Sequence, residues 1–180
     1  MWPIGHASVA YLLYARSTRS RFAGPPGPGA TVVVGFAALF PDLIDKPLAW
    51  YLGVLPGGRT LAHSLFVLVP LSLAIYVLAR RRDVGEYGVA FAVGTISHTL
   101  LDALPAIWDP TTPWEALIWP LLPSPGVSGE GAPTVLGLLR DSLGQPYFLS
   151  EFLFLAAALS VWRADGYPGL GLVFDRSKPA

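Results

Sequence analysis

The chain has 180 residues, 53% of them apolar and only 13% charged, and its formal net charge is zero. About a quarter charged is ordinary for a soluble domain, so this composition, with a mean hydropathy of +0.52, points to one membrane-embedded domain, an all-α polytopic helical bundle of about five apolar segments. No long basic run argues for a nucleic-acid partner, and the absence of cysteine excludes disulfides and thiolate sites, so a transition metal must be held by His and carboxylate.

The first segment, Met1 to Ala15, meets its basic residues only at Arg16, Arg19 and Arg21, the reverse of a secretory signal peptide, and is expected to be retained. It falls short of the roughly 20 residues of a full span. Residues 16–29 close on Gly-Pro-Pro-Gly-Pro-Gly and read as a turn and linker. The second segment, Ala30 to Leu55, is interrupted at Pro41-Asp42 and at Lys46-Pro47. Broken backbone at membrane depth is tolerated only inside protein or beside a wet cavity, so the break itself points to a site.

Leu61 to Ala79 is uncharged, with Pro70 as a kink, and ends at Arg80-Arg81-Arg82. Glu86 to Leu104 follows after a short connection, as expected of antiparallel neighbours. Residues 1–104 thus carry the candidate site residues of the N-terminal helices. Residues 105–146 are irregular, with Trp108, Trp114 and Trp119 giving an interfacial composition, and are expected to form an extracytoplasmic loop with short helices near Trp114–Leu122 and Ala132–Leu143. Residues 147–163 hold the last span, and residues 164–180 a polar cytoplasmic tail.

Three basic clusters, Arg16/Arg19/Arg21, Arg80–Arg82 and Arg163/Arg176/Lys178, follow alternate segments. By the positive-inside rule the N-terminus lies outside and the C-terminus in the cytoplasm of an inner or plasma membrane. His6, Asp42, Asp45, His63, His98 and Asp102 then share one outer layer, with Glu151 beside them.

His98 and Asp102 are four residues apart, on one helical face, and ionisable groups at membrane depth mark a functional site by default. Asp42 and Asp45, three apart, are either ligands or caps of a restarted helix. Arg59 lies one turn before His63 and suits a phosphate or carboxylate, with a snorkelling interfacial role as the plain alternative. His63 is either a ligand or a hydrogen-bonded interior histidine, His6 either a ligand or a solvent-exposed or hydrogen-bonded histidine near the chain end, and Glu151 either an interfacial residue or a general base or extra ligand. The donor set suits zinc and manganese as well as non-haem iron, and two or three ions could be served if a carboxylate bridges.

Gly5-His6, Phe40-Pro41-Asp42-x-x-Asp45, Arg59-Thr60-x-x-His63-Ser64 and Ser97-His98-x-x-x-Asp102, taken in order, resemble the signature of the YdjM-like family of membrane-bound metal-dependent hydrolases. The ligand order is more distantly similar to the zinc-dependent phospholipase C and P1 nuclease group, although no histidine follows His98 to match that group's later ligands. The resemblance implies metal ligation by His6, Asp42 or Asp45, His63, His98 and Asp102 and, with those later histidines missing, one or two ions, zinc first, with manganese or iron as alternatives.

The expectation is therefore hydrolysis of a phosphoester in a lipid or lipid-linked substrate. Arg59 faces the phosphoryl oxygens, and Asp42, Asp45 or Glu151 handles the proton. A metal-ion or proton-coupled transporter is a second possibility, opposed by the lack of ionisable residues in the cytoplasmic halves of the segments. A non-catalytic adaptor with a structural metal is a third.

Overall fold

A computed structural model describes residues 1–123 and 134–174; Arg176, Lys178 and the first residues of the helix expected from Ala132 lie outside them. Among the described residues the chain is all helical, with no strand. The helices are α1 (Pro3–Phe22), α2 (Pro28–Ala37), α3 (Phe40–Trp50), α4 (Leu65–Arg80), α5 (Gly85–Ala103), α6 (Val135–Ser142), α7 (Pro146–Ala164) and α8 (Leu170–Phe174), with 3-10 turns at Leu104–Ile107 and Trp114–Ile118. Pro3, Pro28, Pro41 and Pro146 stand in first turns, where a missing N–H leaves no bond unmade.

The sequence-based boundaries shift in three places. α1 continues through Arg16, Arg19 and Arg21, ending at Ala23 in the left-handed region with its N–H on the Arg19 carbonyl. The second segment breaks at Ala38–Leu39, just before Pro41, because a first-turn proline starts a helix; Pro47 is accommodated inside α3. The third begins at Leu65, where the Ser64 side chain accepts the Phe66 N–H as an N-cap, so His63 lies in the turn before α4.

Instead of five full spans, two helical stretches among the described residues are long and apolar enough to cross a membrane: Gly85–Ile107, 23 residues, and Pro146–Ala164, 19 residues; Leu65–Arg80 is apolar but shorter. The first segment carries arginines in its last turns, and the second is divided, so neither meets the criterion.

α5 is the central element, packed against α1, α2 and α4, while α7 packs on α1. Small residues permit the close contacts: a Cβ on Gly88 would stand 2.4 Å from the Tyr76 Cα, and one on Gly94 would stand 2.6 Å from the Ala37 Cβ and 2.8 Å from the Ala38 nitrogen. The interior alongside is built of Ala10, Tyr14, Ala15, Val34, Ala38 and Ala90.

The distribution of polarity is inverted relative to a soluble domain. His6, Asp45, Thr60, His63, His98 and Glu151 are fully buried, while Leu73, Leu153 and Phe152 are among the large apolar side chains exposed on the outside. Only 17% of the apolar stretch of α7 is buried, so it is not the core helix of a compact monomer. A lipid environment accounts for both observations.

The two ends of the bundle differ. At one end Arg21 pairs with Glu86 and Arg19 with Asp165, and the Tyr14 and Tyr11 hydroxyls donate to the same two carboxylates. At the other end lie the first turn of α1, the turn before α4 and the last turn of α5, which bring His6, His63 and Asp102 together.

Candidate metal centre

Four side chains converge at that second end: Asp42 of α3, His63 of the turn before α4, and His98 and Asp102 of α5. One ligand atom from each lies within 4.8 Å of the others. The His63 Nε2 is 3.6 Å from Asp42 Oδ1 and 3.7 Å from Asp102 Oδ2; the His98 Nε2 is 3.7 and 3.8 Å from the same oxygens. The two Nε2 atoms are 3.2 Å apart. Metal–ligand bonds of about 2.0–2.1 Å place tetrahedral zinc ligands roughly 3.3 Å from each other; the histidine–carboxylate spacings here are somewhat wider, and the group could hold an ion.

The tautomers follow from the outer hydrogen bonds. His63 Nδ1 donates to Asp45 Oδ2 at 2.8 Å, and His98 Nδ1 donates to the Ala38 carbonyl at 2.7 Å. Each neutral ring therefore presents a lone pair on Nε2, and two such lone pairs at 3.2 Å repel unless a cation or a proton lies between them. Asp42 Oδ1, which faces both, is buried without a hydrogen-bond partner. Its other oxygen is held by Lys46. An unpaired buried carboxylate oxygen facing two imidazole lone pairs is the donor set a divalent cation requires, so the residues fit a metal.

Asp45 is not among the converging ligands. Its Oδ2 accepts the Thr60 N–H at 2.7 Å as well as His63, and its Oδ1 accepts the Ala62 N–H at 2.8 Å. Thus Asp45 lies behind His63 and fixes both the ring and the turn that carries it. The close approach at Gly94 does the same for His98 by bringing α5 against the Ala38 carbonyl.

His6 sits beside the group. Its ring stacks on His98 with centroids 3.8 Å apart, its Nε2 is 3.1 Å from Asp102 Oδ1, and neither ring nitrogen has an aligned hydrogen-bond partner. Asp102 therefore presents Oδ2 to His63 and His98 and Oδ1 towards His6. The amino nitrogen of Met1 is 2.9 Å from Oδ1, and Arg59 Nε is 2.9 Å from Oδ2. Arg59 precedes α4 in an irregular turn, so its relation to His63 is set by that turn and not by a helical face.

Glu151 is separate from the four ligands. Both oxygens accept the Trp2 N–H, at 2.9 and 3.1 Å, and a Cβ on Gly5 would lie 2.6 Å from Oε2. It clamps the start of α1, and Gly5 leaves room for it. Lys46 escaped the sequence reading as a partner of Asp42, although its i,i+4 spacing was a sufficient signal. The Thr60 and Ala62 amides carried no side-chain signal at all.

No curated protein and no solved structure matches the chain. The model of the YdjM inner membrane protein family matches residues 1–165, and with its apolar exterior and buried His/Asp cluster the chain belongs to that inner-membrane family.

Proposed function

We propose that the chain is a membrane-embedded, metal-dependent hydrolase that cleaves a phosphoester of a lipid or lipid-linked substrate. The observation that carries this reading is the approach of the His63 and His98 Nε2 atoms to 3.2 Å, closed by Asp42 and Asp102 and flanked by Arg59. A divalent cation, zinc first, supplies Lewis acidity there and makes water acidic near neutrality.

The chain's own groups have distinct tasks. His63, His98, Asp42 and Asp102 hold the cation, and Asp45 orients His63. The Arg59 guanidinium, partly exposed beside Asp102, binds phosphoryl oxygens. Asp45 and Glu151 have their oxygens engaged by backbone N–H groups and Asp42 Oδ2 is paired with Lys46, so all three carboxylates have positioning partners. His6, on the far side of Asp102, is the position from which a second cation would be served.

A lipid substrate follows from location, since a cluster among lipid-facing helices meets lipids first. Collection of Arg19, Arg21 and Arg80 at the opposite end favours an outward-facing site with the N-terminus outside. A structural metal in an adaptor is the second reading, favoured by the completeness of the four-ligand set.

The test is metal analysis of the purified full chain together with hydrolysis of bis(p-nitrophenyl) phosphate by wild type and His98→Ala. The hydrolase reading expects about one or two ions per chain and turnover lost with His98. Stoichiometric metal with no turnover on phosphodiester, phosphomonoester or carboxylic-ester probes supports the structural-metal reading instead.

A further inference from the structure

The residues of the metal centre are shut in. His63, His98 and Asp102 are 1%, 0% and 6% exposed, and Asp42 Oδ1 is buried. Beside them is a space of about 10 Å³, room for about one water. Its lining includes Arg59, His63 and Asp102 and, from the loop after α5, Pro113, Ala116 and Leu117. A phosphoester, with its tetrahedral phosphoryl group and organic substituent, is far larger than a water. It cannot reach the ligands until a wall moves.

The walls differ in how firmly they are held. α5 is locked against α2 by the close approach at Gly94, and the turn carrying His63 is held by Asp45 through the Thr60 and Ala62 amides. The loop is seated lightly. Among residues 104–123 only Ala116, 5% exposed, is buried. Much of its hydrogen bonding is internal: the Thr111 N–H and hydroxyl donate to Asp109 Oδ1, the Trp114 N–H to the Thr112 carbonyl and the Leu121 N–H to the Ile118 carbonyl. It meets the body where the 3-10 turn at Trp114–Ile118 packs on α4 and α5 and where the Ser64 hydroxyl donates to the Trp119 carbonyl.

A segment with few buried contacts and self-contained bonding is the kind that opens locally while the rest of a fold stays intact. We infer that residues 109–122 form a lid over the metal centre, seated by Ala116 and latched by Ser64, that swings outward to admit the substrate. Ile107, Trp108 and Leu121 are exposed, an outer face suited to a lipid interface, so outward movement carries the lid towards the phase that holds a lipid substrate. The identity of what enters rests on the hydrolase reading. The lid itself does not, because a metal ion entering or leaving the centre meets the same wall.

Two variants move the lid in opposite directions. Ala116→Leu adds bulk where the adjoining space takes only a water, so the lid cannot seat. Ser64→Cys/Trp119→Cys, in a chain with no cysteine of its own, puts two thiols at the latch. A short bis-methanethiosulfonate reagent ties them together, and a phosphine reductant releases them, so the same protein is its own control. Zinc release to a chromophoric chelator, zinc uptake and equilibrium zinc affinity are measured on each detergent-purified full chain.

A lid that does not touch the ion changes entry and exit by the same factor and leaves affinity alone. The open form of such a two-state segment is populated at about 0.1–10%, so bridging should slow zinc release and uptake together by about tenfold or more, and Ala116→Leu should speed both. Zinc affinity should stay at the wild-type value, and the reductant should restore the rates. Unchanged rates in either variant overturn the inference, as does failure of the bridge to form. A change in affinity that accounts for the rates also overturns it, since the loop would then be part of the site. Turnover of bis(p-nitrophenyl) phosphate separates the two readings. Loss on bridging and return on reduction support both, and zinc gating without turnover on any ester refutes the hydrolase but keeps the lid. Turnover undiminished by the bridge overturns the lid as the substrate's entrance and leaves the hydrolase standing.

Discussion

Asp45→Asn tests whether Asp45 orients a ligand or is one. In the native chain its two oxygens accept three hydrogen bonds, from Thr60, Ala62 and His63, at 2.7 to 2.8 Å, and the residue is fully buried. Asparagine preserves the shape but keeps only one oxygen. If that oxygen stays with Thr60 and His63, the new NH2 faces the Ala62 N–H, and two buried donors oppose each other at a cost of about 1–3 kcal/mol. His63 also loses its charged acceptor, which lowers the basicity of Nε2 and loosens the ring. Loss of such an outer carboxylate typically weakens metal binding about 10–100-fold. Zinc affinity measured by competition with a chromophoric chelator should fall within that range, while His63→Ala should bind far more weakly still. Affinity within twofold of wild type would falsify the orienting role, and a loss equal to that of His63→Ala would make Asp45 a ligand in its own right.

Further outcomes follow from the packing and the charge distribution. In Gly94→Ala the new methyl meets Ala37 Cβ at 2.6 Å and the Ala38 nitrogen at 2.8 Å. α2 and α5 must separate, so thermal stability in detergent should drop by about 1–3 kcal/mol and zinc affinity should fall as the His98–Ala38 bond lengthens. Unchanged stability and affinity would mean that the close approach does not set the His98 position. Since the chain contains no cysteine, an Arg81→Cys variant can be labelled selectively in intact cells. An impermeant thiol reagent should fail to reach it until the membrane is opened, and labelling from outside would reverse the proposed orientation.

The gathering of His6, Asp42, His63, His98 and Asp102 at one end of the bundle was legible in the sequence because charged and imidazole groups are conspicuous in apolar segments, and their depth can be counted along a helix. α5 and α7 were legible for a related reason: each is a long apolar run with few breaks. What escaped were features decided by local stereochemistry. The start of α4 depends on Ser64 acting as a cap, which moves His63 and Arg59 off the helix and into a turn. The division of the second segment falls at Ala38, since proline is at home in a first turn and can even be carried inside α3. The task of Asp45 was invisible because its partners include two backbone amides, and no residue type announces where an amide points. Reading Arg16, Arg19 and Arg21 as the end of a segment missed that tertiary pairs with Glu86 and Asp165 extend α1 beyond its apolar part.

The same polarity pattern bears on what holds the bundle together. Between helices surrounded by lipid, burying apolar surface gives little drive, so association depends on close backbone packing and on buried polar contacts. Close packing is distributed along α5 at Gly88 and Gly94, whereas the polar contacts are divided between the two ends. At the basic end the contacts are ion pairs complete within the protein, such as Arg21 with Glu86. At the His/Asp end, Asp42 Oδ1 and His6 Nδ1 have no hydrogen-bond partner, and a cation held by Asp42, His63, His98 and Asp102 would bind α3, α5 and the turn before α4 into one unit. Removing the metal should therefore loosen the molecule asymmetrically. Hydrogen exchange in detergent, before and after chelation, should show faster exchange at the Thr60 and Ala62 amides and in the first turn of α4, with α1 near Arg19–Phe22 and the start of α5 unchanged. Uniform acceleration along the whole bundle would mean that the cation acts on global stability, and no acceleration at Thr60 and Ala62 would mean that Asp45 holds the turn without it.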